Sequence, residues 1–228
     1  MSATPHAELL SFRLRLARTD QDILAACRVR AQAYGRHLPH LRGAMGAPDQ
    51  LDAAPGVAVL LCVDKRSGAA TGTVRLQTSA AGPILIEQSV LLPDDISLGT
   101  RAELARLAVV PGADPLTKPA LMKAAFLFCR AAQVRYMVIG ARSRALIRQY
   151  EELAFTDLFE GRMFPLQHAG DIPHRVLVND LSTVELRMAE QGSSWPAFVL
   201  RTWHPDIELF SSRPALAAAD ARDMLAAA

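Results

Sequence analysis

Two β-rich segments joined by one short polar turn do most to limit how this chain folds. Residues 57–63 are wholly apolar, Lys65, Arg66, Ser67 and Gly68 supply a turn, and residues 70–77 return. Such a pair reads as an antiparallel hairpin. In its second strand the period of two puts Thr71, Thr73, Arg75 and Gln77 on one face, opposite Gly72, Val74 and Leu76. Arg75 therefore points away from its apolar neighbours, to solvent or into a polar cleft.

The hairpin sits inside an alternating order of strands and helices. Residues 12–16 alternate apolar and charged side chains, and Asp20 is placed to cap a helix that ends near Tyr34 and Gly35. Residues 36–56, with three prolines and three glycines, form a long loop carrying a short helical turn at most. A loop of that length in a compact domain is usually disordered or functional, and Asp49 and Asp52 favour function.

Residues 84–87 and 104–110 read as strands, the second closed by Pro111 and Gly112. Pro119 suits the first turn of a helix whose apolar side draws on Leu121, Ala124, Ala125, Phe128 and Ala132. Residues 134–139 make the next strand, and Ser143 leads into a helix with Ile147, Tyr150 and Ala154 on one side. Two short strands at 162–166 and 175–178 follow, then a helix at 181–190, a loop around Trp195 and Pro196, and an alanine-rich helix or frayed tail at 214–228. The expected organisation is a flexible 1–11, one α/β domain over 12–180, and a helical C-terminal extension over 181–228. A doubly wound nucleotide fold fits less well, because no glycine-rich turn follows the first strand.

Composition removes several function classes. Half of the 228 residues are hydrophobic and 21% are charged, the balance of a globular protein. Arginine supplies 22 of the 25 basic residues, yet the net charge of +2 lacks the broad basic field of a nucleic-acid binder. Cys27, Cys62 and Cys129 are odd in number and lie in apolar settings, which suits buried thiols better than disulfides or a metal cluster. The six histidines form no familiar ligand spacing, so no metal is expected. No basic leader and no apolar run of bilayer length is visible, which makes the cytoplasm the expected compartment.

Seven polar positions stand in a distinctive order: Arg30 and Tyr34 one helical turn apart, Asp49 and Asp52 in the loop, Arg75 in the hairpin, then Glu103-Leu104-Ala105-Arg106 at the next core strand. Over residues 12–180 this pattern resembles the GNAT-like acyltransferases, and within them the branch of acyl-homoserine lactone synthases and long-chain N-acyl amino acid synthases. The resemblance implies a central mixed, mostly antiparallel sheet flanked by helices. It also implies transfer of a fatty acyl group from an acyl carrier protein thioester to the amine of an amino acid by direct attack, with no permanently bound cofactor. Pro39 and His40 stand where lactone synthases carry a tryptophan of the S-adenosylmethionine pocket, which favours an ordinary amino acid as acceptor. Pro111 and Pro115, in the stretch where coenzyme-A-dependent relatives present backbone N–H groups to pyrophosphate, favour the carrier protein over coenzyme A.

Roles follow from the resemblance, each with a plainer alternative. Glu103 is the expected base or relay for the ammonium proton, or else an ion-pair partner that fixes Arg106. Residues three apart in a regular strand face opposite sides, so that pairing would need a bulge or bend. Arg106 would hold an acceptor carboxylate or loop acids, and Arg75 would shape the cleft field or lie exposed. Arg30 and Tyr34 would receive acceptor or loop carboxylates, or else only stabilise their helix, and Asp49 and Asp52 would contact the acceptor's ammonium group or anchor the loop, or else simply face solvent. Met122, Phe126, Phe128, Met137, Phe155, Phe159 and Phe164 would line an acyl tunnel or simply form core. Lys118, Lys123, Arg142, Arg144 and Arg148 would offer a landing site to the acidic carrier protein, or a solvated rim. The competing functions are a lactone synthase using S-adenosylmethionine, an acetyl-coenzyme A dependent N-acetyltransferase, and a non-catalytic acyl or amino-acid sensor.

Overall fold

The computed structural model describes residues 7–192 and 195–210. Its first half runs β1 (Phe12–Leu16), α1 (Asp20–Gly35), α2 (Arg42–Met45), β2 (Val57–Asp64), β3 (Ala70–Thr78), α3 (Asp94–Ser97) and β4 (Arg101–Val109). The second half runs α4 (Thr117–Ala131), β5 (Tyr136–Ala141), α5 (Arg144–Glu151), β6 (Thr156–Asp157), β7 (Phe164–Leu166), β8 (Ile172–Asp180), α6 (Val184–Glu190) and β9 (Ile207–Glu208). The strands form one sheet in the order β6-β8-β5-β4-β3-β2-β1-β9, with β7 added to β8. Among the described strands only β4–β5 and β1–β9 pair in parallel, and an isolated parallel bridge joins Ala7 to Trp203. The sheet is therefore mixed and mostly antiparallel, flanked by helices. No helix among the described residues is long and apolar enough to cross a membrane.

The expected hairpin is β2–β3, in register from Val57↔Gln77 to Val63↔Ala70. Helix α4 lies on it, burying Leu121, Ala124 and Ala125 against Leu60, Val74 and Leu76 in the larger core cluster. A second cluster around Ile84, Ile86, Val138 and Val176 fills a separate part of the interior. The three cysteines are free and buried, and burial pushes the Cys129 thiol up to about 12.

Several boundaries differ from the sequence reading, each for a local reason. Thr19, not Asp20, caps α1: its hydroxyl accepts from the Asp22 N–H, and Asp22 returns a bond to the Thr19 N–H. The strand expected at 84–87 is instead a 3-10 turn, Leu85–Gln88. There the N–H groups of Ile84, Leu85 and Ile86 donate to Glu87, Gln77 and Glu103 side chains, so no neighbouring strand is needed. The loop around Trp195 and Pro196 is helical, with a π turn at Ala197–Arg201, and the segment after residue 180 also returns to the sheet as β9. The expected helix or tail at 214–228 lies outside the described residues, as do residues 1–6.

Lys123 explains how residues 198–204 are held. It is 3% exposed, and its ammonium donates to the carbonyls of Phe198 and Thr202 at 2.8 and 2.5 Å and to His204 Nδ1 at 2.8 Å. Burial lowers its pKa to about 8. Lys123 is therefore a structural clasp, turned away from any docking partner.

Gly72 marks the tightest contact between sheet and helix. A Cβ there would stand 2.5 Å from Thr117 Cγ2 and 3.0 Å from Leu121 Cδ1, both on buried side chains. Gly72→Ala should destabilise the protein by about 1–3 kcal/mol in denaturant unfolding, as overpacked cores do; unchanged stability would mean that α4 does not sit this close to β3.

Candidate functional site

The site originates where two parallel neighbours part. β4 pairs with β5 from Arg101↔Tyr136 to Leu104↔Ile139 and no further. On its other side β4 pairs with β3 at Arg75↔Ala105 and Thr73↔Ala108, so Arg106 and Leu107 together oppose Val74. This is a β-bulge. Arg106 takes the left-handed conformation at φ 57°, which costs a residue with a Cβ about 1–2 kcal/mol. Beyond Leu104 the β5-facing edge of β4 has no strand partner among the described residues, and a notch opens.

Two cavities meet at the notch. One, about 410 Å³, runs toward α4 and α5 past Leu107, Val109, Lys118, Leu146 and Tyr150. The other, about 300 Å³, runs toward the loop after α1 and the β7–β8 turn past Leu41, Met45, Glu103, His168 and Ile172. Tyr34, Arg106, Gly140, Arg142 and His174 border both. Gly140 leaves room at the junction, since a Cβ there would meet Leu166 Cδ1 at 2.9 Å.

A buried charge cluster fixes the loop above the notch. Arg30 donates to Asp52 at 2.8 Å, and both side chains are almost fully buried. Arg75 Nη1 donates to both Asp49 oxygens at 2.7 Å and lies 3.5 Å from Asp52. Asp49 also caps the turn Gln50–Ala53 and stands 3.8 Å from Arg106. Burial raises the Asp49 pKa, but the Arg75 hydrogen bond and the charges of Arg75 and Arg106 outweigh it and hold the carboxyl below its usual range. Burial and the Arg75 charge lower the pKa of Arg106, which donates to Met45 Sδ at 3.0 Å and approaches the His168 carbonyl at 3.5 Å.

Glu103 is 2% exposed and engages on both oxygens. Oε2 accepts from the Ile86 N–H at 2.7 Å, and Oε1 lies 2.9 Å from His168 Nε2. A direct Glu103–Arg106 pairing would have needed a bend between them, but β4 stays in regular register from Glu103 to Ala105 and bulges only at Arg106 and Leu107, and the partner of Glu103 is His168. Tyr34 donates to the Leu107 carbonyl at 3.3 Å, and burial keeps its phenol protonated.

No protein-family model matches the sequence, and no curated protein matches it. Solved structures do match the fold. The N-acyl amino acid synthase FeeM from uncultured soil microbes is 15% identical with a TM-score of 0.61, over 83% of this chain and 98% of that one. The coenzyme-A-dependent acyl-homoserine lactone synthase BjaI, solved with SAM and isopentyl-CoA, is 17% identical with a TM-score of 0.55, over 89% and 95%. An acyl-CoA N-acyltransferase from Pseudomonas aeruginosa is 14% identical with a TM-score of 0.52, over 74% and 97%. The chain has a GNAT-like α/β fold.

Within this GNAT-like fold the seven polar positions converge. Arg30, Arg75, Asp49 and Asp52 form the loop cluster, while Tyr34, Glu103 and Arg106 line the cavities. The residues expected along an acyl tunnel lie elsewhere. Met122, Phe126, Met137 and Phe155 surround a void of about 20 Å³ inside the main core, Phe128 packs beside them, and Phe159 and Phe164 pack on the second cluster. None lines the two cavities at the notch: Met122, Phe126, Met137 and Phe155 are buried in the main core, and Phe128, Phe159 and Phe164 are partly buried against the two clusters. Of the expected docking cations, Arg142, Arg144 and Arg148 are exposed, Lys118 borders the larger cavity and bonds Gln149, and Lys123 is the buried clasp. Sequence reasoning missed His168 and His174, which flank the turn at Gly170. Their positions carry no motif, and only the return of β8 beside β5 brings them to the notch.

Removing one partner of the Arg30–Asp52 pair leaves a buried charge uncompensated. Asp52→Ala should cost about 3–5 kcal/mol in denaturant unfolding, and adding Arg30→Met should recover part of it. A strictly additive double variant would show that the pair does not hold the loop.

Proposed function

We propose that the protein is an N-acyltransferase that moves a fatty acyl group from a thioester to the amine of an amino acid by direct attack. The observation that carries this reading is the parting of β4 and β5 at the Arg106 bulge, with one cavity on either side of the opening. A thioester in the larger cavity would bring its carbonyl to the unpaired β4 edge, while an amine in the smaller cavity would reach the same point, so positioning replaces covalent catalysis. Acyl carbon would pack on Leu107, Val109 and Leu146 in place of the core aromatics. Arg106 and Arg142 supply fixed positive charge for the acceptor carboxylate. Glu103 enters through His168, which it orients at the wall of the acceptor cavity.

Acyl-coenzyme A is the donor placed first, since BjaI and the Pseudomonas protein are named for that cofactor. One observation favours acyl carrier protein instead. The Asp114 carboxylate accepts from the Leu116 N–H and from Ser11 just ahead of α4, setting negative charge and N–H-lacking prolines where pyrophosphate would bind.

Purified protein offered octanoyl and palmitoyl thioesters of coenzyme A and of carrier protein, acetyl-coenzyme A, a panel of amino acids and S-adenosylmethionine should yield an N-acyl amino acid by mass. Product from the carrier thioester alone would reassign the donor, and a lactone would reassign the acceptor. No amide with any donor contradicts the reading. Arg106→Lys, which loses the planar fork, should lower kcat/KM for the amino acid about 10- to 100-fold, the equivalent of one charge-assisted contact.

A further inference from the structure

Amide formation needs a group that takes a proton at the point where the two cavities meet. Of the residues bordering both, Tyr34, Arg106, Arg142 and His174 have ionisable side chains. A buried phenol and two guanidiniums stay protonated near neutrality, which leaves the imidazole. Glu103, the base expected from sequence, borders only the smaller cavity and engages His168 and the Ile86 N–H with its two oxygens.

His174 is built to present one bare nitrogen. Its Nδ1 lies 2.7 Å from the Ile172 carbonyl, an acceptor only, so Nδ1 carries the proton and Nε2 keeps a lone pair. Nε2 has no protein partner among the described residues and is not sealed from solvent, in contrast to the buried Nδ1 of His168. Strand β8 fixes the ring's backbone opposite Phe164 of β7, and the ring lies beside Gly140 of β5, where a Cβ would be in ordinary contact with His174 Cδ2 at 3.5 Å.

Resting on the N-acyltransferase reading, we propose that His174 Nε2 is the proton acceptor of the reaction, and that Glu103 is a positioning residue. The acceptor's ammonium group loses one proton to water, and the neutral amine attacks the thioester carbonyl. As the C–N bond forms, His174 takes the remaining surplus proton from nitrogen. The C–S bond then breaks with its electron pair passing to sulfur, and the imidazolium returns its proton to the thiolate, giving amide and free thiol. The titratable and charged groups that share the two cavities with His174 are Arg142 beyond β5, His168 in the β7–β8 turn, Arg106 and Glu103 on β4, Lys118 on α4, Tyr150 on α5, Tyr34 on α1 and His37 just after it. Burial, with the charges of His168 and Arg142, lowers its pKa against the opposing bond to Ile172, so the imidazole is neutral at pH 7.

The test is single-turnover acyl transfer across pH, using the donor and acceptor that give amide in the panel above. The wild-type rate should rise through a limb centred below about 6.5, the ordinary histidine value. His174→Asn, whose amide can still donate to the Ile172 carbonyl, should lose that limb and about 10²- to 10⁴-fold in rate. His174→Ala should regain part of the rate with added imidazole. Glu103→Gln should slow transfer yet keep the limb. Long-range proton–nitrogen spectra should show the His174 proton on Nδ1. A His174→Asn enzyme with the wild-type limb and rate, or a proton on Nε2, overturns the assignment while leaving the acyltransferase reading intact. Wild-type protein that forms no amide removes both.

Discussion

The separation of β4 from β5 after Leu104↔Ile139 is the constraint on which the site depends. Two paired strands would bury their edges against each other, and the notch would not exist. Here β4 bends at Arg106 in a left-handed conformation that other residues must hold in place. On one side the shifted register with β3 holds it, and on the other the Arg106 side chain is held by Met45 and the His168 carbonyl. The strain and the opening are two aspects of the same backbone departure. Tyr34, bonded to the Leu107 carbonyl, ties α1 to that departure.

A second tension is electrostatic. Arg30 and Arg75 are both buried against Asp52, and among the described residues Arg30 Nε and Nη2 and Arg75 Nη2 have no hydrogen-bond partner. Such burial is tolerated only with paired carboxylates, which Asp49 and Asp52 bring from the loop. Residues 36–56 are thus ordered less by their own helical propensity than by what the arginines require. The loop in turn walls the smaller cavity through Leu41 and Met45. Charge compensation in the interior and the shape of the cleft are therefore coupled.

How much of this was legible in the sequence depended on whether a pattern was local. The hairpin, the helix carrying Pro119 and the core strand of Glu103 and Arg106 follow from periodicity and turn chemistry, and the structure has them. The seven polar positions converge because their order along the chain matches the order of elements around one cleft. Residues 84–87 misled because side chains of Gln77, Glu87 and Glu103 take backbone donors that a strand would have shared with a neighbour. Lys123 misled because a lysine on a helix reads as solvated until the C-terminal carbonyls arrive. The aromatic and methionine residues were consistent with core or tunnel alike, and only the position of the notch separates the two. His168 and His174 became visible only with β8 placed beside β5.

The central claim is that chemistry occurs where β4 leaves β5, between the two cavities. It is tested most directly by a crystal structure with a ketone analogue of an acyl-coenzyme A, in which a methylene replaces sulfur and transfer cannot occur. The account predicts the ketone oxygen against the β4 backbone at residues 105–107, with Arg106 and His174 on the acceptor side. An analogue seated elsewhere, such as the groove between α1 and β2 lined by Arg15, Arg28 and Leu61, would contradict it.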